Sequence, residues 1–378
     1  MTIHLLFTDK GCVINDRPCP GRPLFVQEER VLWDPTDWGR SLIEAGHPTS
    51  TVRTYTQQLL DLLLQMEVDK MSVADINKAY MKGYRSSLEN RGAGANYVAG
   101  LLGSQLRYFR WLEGEKEGLW LIGPGPGYAI PLAITGRNRS GLVPRIKRGS
   151  PVAKMPPDEA IEATKAHLLR VCDNLRERDE LIIEWQRVAM LRAMEASNLL
   201  LESIPSEERI AKLVASEQTF GVNLLTTKGG APRVVDVSPF LLQRTRIFID
   251  VDREAILDPI RSRCRRLRLP FVEPSEVFVT RRGLRIDPRT ISNTIRSAWK
   301  EAKRLGNFDE HDRVYSHGLR HRGITKDLKG RIDAGQPNAD RMTMRQSGHR
   351  QEASMRPYVH LFGSNSVKPS PAVTRQGG

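Results

Sequence analysis

Apolar positions recur at helical spacing in several separate stretches of the chain. Val52 to Leu64 carries a leucine-rich face, and Thr49-Ser50 offers a start signal for it. Ser72 opens a second run, Val73 to Met81. A third follows Gly92-Ala93-Gly94 through Tyr97, Leu101, Leu102, Leu106, Phe109, Trp111 and Leu112. Further along, Asp158-Glu159 stand at the acid-favoured start of a helix with Ile161, Leu168 and Leu169 on its apolar side. The run from Glu177 to Leu191 is apolar on one face through Leu181, Ile182, Trp185, Val188 and Ala189. Asp287-Pro288-Arg289 begins another helix, with Ile291, Ile295, Ala298 and Trp299 on one side. The strand signals are shorter. Ile3 to Phe7 and Pro23 to Val26 read as extended pieces, and Val277 to Val279 as a short strand. Val222 to Thr227 and Arg233 to Val237 flank Lys228-Gly229-Gly230-Ala231-Pro232 as a hairpin.

This pattern divides the 378 residues into an N-terminal extension (1–34), a helical domain (35–118), a linker (119–156), a larger second domain (157–360) and a tail (361–378) rich in Ser, Pro, Gly and Lys. The linker carries Gly123-Pro124-Gly125-Pro126-Gly127, and then Arg137, Arg139, Arg145, Lys147 and Arg148. It reads either as a solvated tether or as a basic strap closing a two-domain clamp on duplex DNA. Tyr108-Phe109-Arg110-Trp111 reads as core more readily than as a base-stacking surface.

Charge narrows the partner. A formal net charge of +14 favours a polyanion. Arg289, Arg296, Lys300, Lys303 and Arg304 make the helix after Asp287 basic away from its apolar side, as a helix along a major groove would be. The alternative is a solvated outer face. Cys12, Cys19, Cys172 and Cys264 are scattered and form no Cys-x-x-Cys pair, which suits reduced thiols in a cytoplasm. No signal peptide and no bilayer-spanning apolar run is visible.

The chemistry-bearing residues concentrate near the C-terminus. His317 and Arg320 are three apart, on one helical face. His349 follows in Ser347-Gly348-His349, thirty-two positions after His317, and Tyr358 lies nine beyond it. Arg forks phosphate oxygens, His hydrogen-bonds or moves a proton, and a Tyr hydroxyl can become a covalent nucleophile. No Asp/Glu cluster accompanies them, so nothing points to a metal-dependent nuclease.

This set resembles the tyrosine recombinase (phage integrase) family, on the His-x-x-Arg box at His317/Arg320, the Gly-His box at Gly348-His349, and Tyr358. The His317–His349 interval is longer than that family pattern suggests, and Asp333 to Asn338 reads as the loop that holds the excess. Two more boxes match: Arg192 with the acid Glu195 three residues on, and Lys228 at a hairpin turn. The resemblance implies a mainly α fold, with a helical core-binding domain before an α-rich catalytic domain that carries a small antiparallel sheet. It implies a site-specific recombinase of a bacterial mobile element, cytoplasmic and on the nucleoid when acting. It needs no metal, ATP or other cofactor. Its partners are double-stranded DNA, further copies of itself in a tetramer on paired sites, and DNA-bending accessory proteins. The implied roles are Tyr358 as nucleophile, Arg192 and Arg320 on the scissile phosphate, and Lys228 protonating the leaving oxygen. His317 assists proton transfer at the nucleophile, His349 hydrogen-bonds the phosphate, and Glu195 supports the arginines. The alternatives are a type IB topoisomerase, which rejoins the same strand, and a silent DNA-binding protein of the same fold.

Overall fold

The structure is a computed structural model that describes residues 2–9, 11–14, 16–132, 141–144, 155–168, 172–225, 232–306, 308–309, 311–349 and 351–359. The chain is mostly helical and forms two compact units, Met1–Arg148 and Gly149–Gly378.

In the first unit, strands β1 (Ile3–Phe7), β4 (Pro23–Gln27) and β5 (Arg30–Val31) form an antiparallel sheet. The small hairpin of β2 (Val13–Ile14) and β3 (Arg17–Pro18) lies between β1 and β4 in sequence. Helices α1 (Trp33–Glu44), α2 (Thr49–Val68), α3 (Lys78–Asn90) and α4 (Ala95–Glu115) follow. Then β6 (Ile122–Pro124) pairs in parallel with β7 (Ile130–Leu132). The first 34 residues take part in this core: Ile3 and Phe25 are buried with Trp38, Leu59, Leu62 and Tyr108. Burying Phe25 leaves its N–H without water, and Thr36 Oγ1 accepts that hydrogen bond at 3.0 Å. Within the stretch read as a linker, Leu121, Ile122, Ile130 and Leu142 are buried in the same core. They are spaced apolar residues among turn formers, a pattern that Gly and Pro content hides. Tyr108 and Phe109 are buried, and Tyr108 meets Trp38 edge to face.

Two helix starts differ from the sequence reading. Helix α2 begins at Thr49 itself, after Pro48, with no side-chain cap. The run from Val73 is a single 3-10 turn, because Ser72 N–H and hydroxyl both donate to Asp75. Helix α3 then starts afresh at Lys78, where Asn77 Oδ1 accepts from Tyr80 N–H.

The second unit opens with α5 (Asp158–Ala166), α6 (Asp173–Arg187), α7 (Ala193–Ser197) and α8 (Glu207–Ala215). The antiparallel pair β8 (Phe220–Leu224) and β9 (Arg233–Val237) follows, in the register Phe220↔Val237. Helices α9 (Pro239–Ile247), α10 (Glu254–Arg266), α11 (Pro288–Leu305), α12 (Ser316–Asp333), α13 (Ala339–Ser347) and α14 (Arg356–Val359) complete it. Trp185, Phe248, Phe278, Trp299 and Leu319 centre its core. The helix expected to reach Leu191 ends at Arg187, because Met190 adopts a left-handed backbone (φ 55°) and turns the chain. Val188 is consequently exposed. Helix α12 crosses α6 at Gly323, where a Cβ would stand 2.2 Å from the Arg187 carbonyl oxygen, so only glycine permits this approach. Residues 334–338 form the loop between α12 and α13. A smaller apolar cluster of Met190, Ile324, Leu328, Ala339, Met355 and Tyr358 ties α12, α13 and α14 together.

Candidate active site

The corner between α6 and α7 sets the first part of the site. Arg192 precedes α7 in extended conformation, so its N–H donates to Glu195 Oε2 at 2.8 Å and its Nη1 to Glu195 Oε1 at 2.7 Å. Glu195 is wholly buried. Its Oε2 also accepts from Arg233 Nη2 at 2.8 Å, and Arg320 Nη1 stands 3.7 Å away. Three guanidiniums therefore surround one carboxylate. Burial alone would raise the Glu195 pKa, but the Arg233 hydrogen bond and the neighbouring positive charges outweigh it and hold the group ionised below its ordinary value.

Arg320 leaves the second turn of α12 and is completely buried. It donates through Nη1 to the Met190 carbonyl and through Nη2 to the Ser347 carbonyl, so the left-handed turn at Met190 aims an acceptor at it. Burial, and then repulsion from Arg192, pull its pKa down to about 9. The Nε atoms of Arg320 and Arg233 are buried without a hydrogen-bond partner among the described residues.

A second set of bonds fastens β9 to α13. Gln346 donates through Nε2 to the Asp236 carbonyl at 2.7 Å and accepts from Asp236 N–H at 3.0 Å. Arg233 Nη1 donates to the Gln346 carbonyl. Gly348 ends α13 in the left-handed region (φ 69°), which His349 N–H joins by donating to the Met344 carbonyl at 3.0 Å. His349 Nδ1 lies 2.9 Å from Ser347 Oγ, whose hydroxyl donates to the Met344 carbonyl at 3.2 Å.

Tyr358, on α14, is buried. Its hydroxyl is in hydrogen-bond contact with Nδ1 of His321, a residue of α12. Its ring lies 5.5 Å from that of His321 and 6.1 Å from that of His349, centre to centre, and His321 meets His317 edge to face at 4.3 Å. Burial pushes the Tyr358 hydroxyl up to about 12, against the pull of Arg320. Burial first, and then nearby positive charge, press His321 and His349 down to about 4, so both imidazoles are neutral near pH 7.

The fold thus gathers Arg192, Glu195, Arg320, His317, His349 and Tyr358 from α6–α7, α12 and the α13–α14 segment. Lys228, which the sequence reading put at a hairpin turn, lies outside the described residues, as do Arg145, Lys147 and Arg148. Arg289, Arg296, Lys300 and Arg304 are exposed and Lys303 is half-buried on α11, opposite its buried Ile291, Ile295, Ala298 and Trp299. Arg304 is paired with Glu301. Sequence reasoning missed His321 and Arg233. The i, i+4 spacing of His317 and His321 was a readable signal. Arg233 had none, since only folding brings it to Glu195.

The family model described as "Phage integrase family" matches residues 161–364. No curated protein matches the chain. Among solved structures, XerH site-specific recombinase bound to palindromic difH substrate, a post-cleavage complex, is similar with TM-score 0.53 and 16% identity. The match covers 83% of this chain and 77% of that one. A lambda integrase tetramer bound to a Holliday junction matches with TM-score 0.53 and 13% identity, over 84% of this chain and 77% of that one. The Tn1549 transposon integrase in complex with transposon right end DNA matches with TM-score 0.54 and 11% identity, over 89% and 95%. At these identities the likeness is one of fold.

Proposed function

This chain belongs to the phage integrase family of tyrosine-type site-specific recombinases, and from that premise we propose that it cuts and rejoins duplex DNA through a 3′-phosphotyrosyl intermediate. The observation that carries the reading is the group of three guanidiniums on the single buried carboxylate of Glu195, beside the Tyr358 hydroxyl. One anion for three cations leaves the pocket electron-poor. A phosphodiester supplies the missing negative charge, and its charge grows in the transition state, where fixed donors act most strongly.

Tyr358 attacks the scissile phosphorus, and the 5′-oxygen leaves. Arg192 and Arg320 stabilise the equatorial oxygens, and His349 hydrogen-bonds one of them. Lys228 protonates the leaving oxygen from the hairpin turn. The free 5′-hydroxyl of a partner strand then attacks the phosphotyrosine, so the bond energy stored in the ester drives rejoining. His317 belongs to the same imidazole pair beside the nucleophile. In this reading the helical domain (35–118) grips duplex DNA, the second domain (157–360) is catalytic, and α11 lays Arg289, Arg296 and Lys300 along phosphates. The working assembly is a tetramer on paired sites in the bacterial cytoplasm.

A nicked suicide duplex, from which the strand beyond the cleavage site is lost, tests this directly. The parent chain is expected to give a covalent protein–DNA adduct, and Tyr358→Phe to bind the duplex without forming one. No adduct from the parent on its own recombination site would support a silent DNA-binding protein. Relaxation of any supercoiled plasmid would support a topoisomerase.

A further inference from the structure

The proton of the nucleophile needs a destination. The sequence reading assigned that assistance to His317, but the imidazole in hydrogen-bond contact with the Tyr358 hydroxyl is His321, one residue past Arg320. Resting on the recombinase reading above, we propose that His321 is a catalytic residue whose Nδ1 accepts the Tyr358 proton as the hydroxyl attacks phosphorus.

Several independent features point this way. Helix α12 holds His317, Arg320 and His321 within two turns, so the residue that grips phosphate and the residue that touches the nucleophile are rigidly coupled. The ring of His321 is braced on one side by His317 and on another by Tyr358, which fixes which nitrogen meets the hydroxyl. For Tyr358 O–H to donate, Nδ1 carries the lone pair and the ring proton sits on Nε2. The groups that face His321 are His317, Arg320 and Tyr358; burial first, and then the charges of His317 and Arg320, keep the ring neutral at neutral pH. A neutral ring is what an acceptor requires. Its basicity in the free protein is low, but a bound phosphate adds negative charge beside it and raises its affinity for a proton as the reaction proceeds.

The step balances. The Tyr358 O–H bond breaks as O–P forms, and its proton moves to His321 Nδ1, which becomes an imidazolium. The P–O5′ bond breaks, and its electron pair takes a proton from the Lys228 ammonium. Rejoining runs the same transfers backwards, with His321 returning its proton to the tyrosine oxygen. His321 and Lys228 thus serve opposite ends of one in-line displacement.

Single-turnover cleavage of the nicked duplex separates this role from a packing role. His321→Ala removes contact and base. His321→Asn keeps a hydrogen-bonding group near the position of Nδ1 but cannot accept a proton. Both are expected to cleave about 100-fold or more slowly, within the range of a lost general base, with DNA affinity and melting temperature near those of the parent. A duplex with a 5′-bridging sulfur at the scissile phosphate has a leaving group that needs no proton. It is expected to rescue Lys228→Ala and leave both His321 variants slow. Parental rates in His321→Ala, parental rates in His321→Asn, or rescue of either by the sulfur substrate would each overturn the assignment. If His321→Ala fails to fold, His321→Asn alone decides. Failure of the recombinase reading looks different, because the parent itself would then form no adduct.

Discussion

Glu195 and Arg233, thirty-eight residues apart in the chain, meet at 2.8 Å between Oε2 and Nη2 in a pocket that also holds Arg192 and Arg320. This pair joins the α6–α7 corner to β9. It makes Glu195 the hub through which the arginines hold their places.

Replacing that hub is expected to be costly. Glu195→Gln preserves shape but leaves buried guanidiniums uncompensated, and breaking such a pair destabilises by about 3–5 kcal/mol. Urea unfolding of the two proteins measures it. A midpoint equal to the parent's would show that the arginines do not depend on the carboxylate.

Gly348→Ala is expected to lose both stability and cleavage. Its φ of 69° disfavours any Cβ, by about 1–2 kcal/mol, and that Cβ would also stand 2.6 Å from Arg233 Cδ. Gly335→Ala is the matched control, since its φ is 65° and nothing lies within 4 Å. Stability and cleavage rate compared between the two isolate the push on Arg233. Equal cleavage rates would mean that Arg233 can move without consequence.

Acid should weaken the fold before the carboxylates titrate. His321 and His349 have pKa values held to about 4 in the folded chain, below the unfolded value of about 6.5. A depressed folded pKa contributes stability that is complete above the unfolded value and is lost as pH falls toward the folded one. The groups facing these rings are Arg192, Arg320, His317 and Tyr358. Thermal melts between pH 7 and pH 5 are expected to fall for the parent and to fall less for a His321→Gln/His349→Gln double variant. Equal slopes would mean that the two rings protonate freely in the native state.

The exposed cations of α11 make a different forecast. Arg296→Gln and Lys300→Gln leave the buried face of the helix untouched, so thermal stability should not change. If each side chain meets a phosphate, each loss lowers the salt dependence of DNA affinity by about 0.9 in the logarithmic slope. Filter binding over a range of salt reads that slope. An unchanged value would mark the face as merely solvated.

Helix periodicity was legible along most of the chain, because burial of one face leaves a local imprint at a spacing of three or four residues. Ile291, Ile295, Ala298 and Trp299 were read as one side of a helix and are buried together. The His-x-x-Arg pair, the Gly-His pair and the following tyrosine were equally visible, since each is a short local pattern, as was a loop between His317 and His349. Helix ends were less so. Met190 stops α6 by adopting a backbone that its side chain gives no hint of, and Ser72 satisfies a turn where a helix was expected. The apolar residues of the first 34 positions, and of the Gly/Pro-rich stretch after α4, gave no sign that they would share a core with distant helices. What only the tertiary structure decided is which groups touch. Arg233 reaches Glu195, Gln346 binds Asp236, and His321 meets the tyrosine hydroxyl. Local patterns record the period of an element and the residue types it carries. Contacts between elements depend on how distant segments pack, and that information is spread over the whole chain.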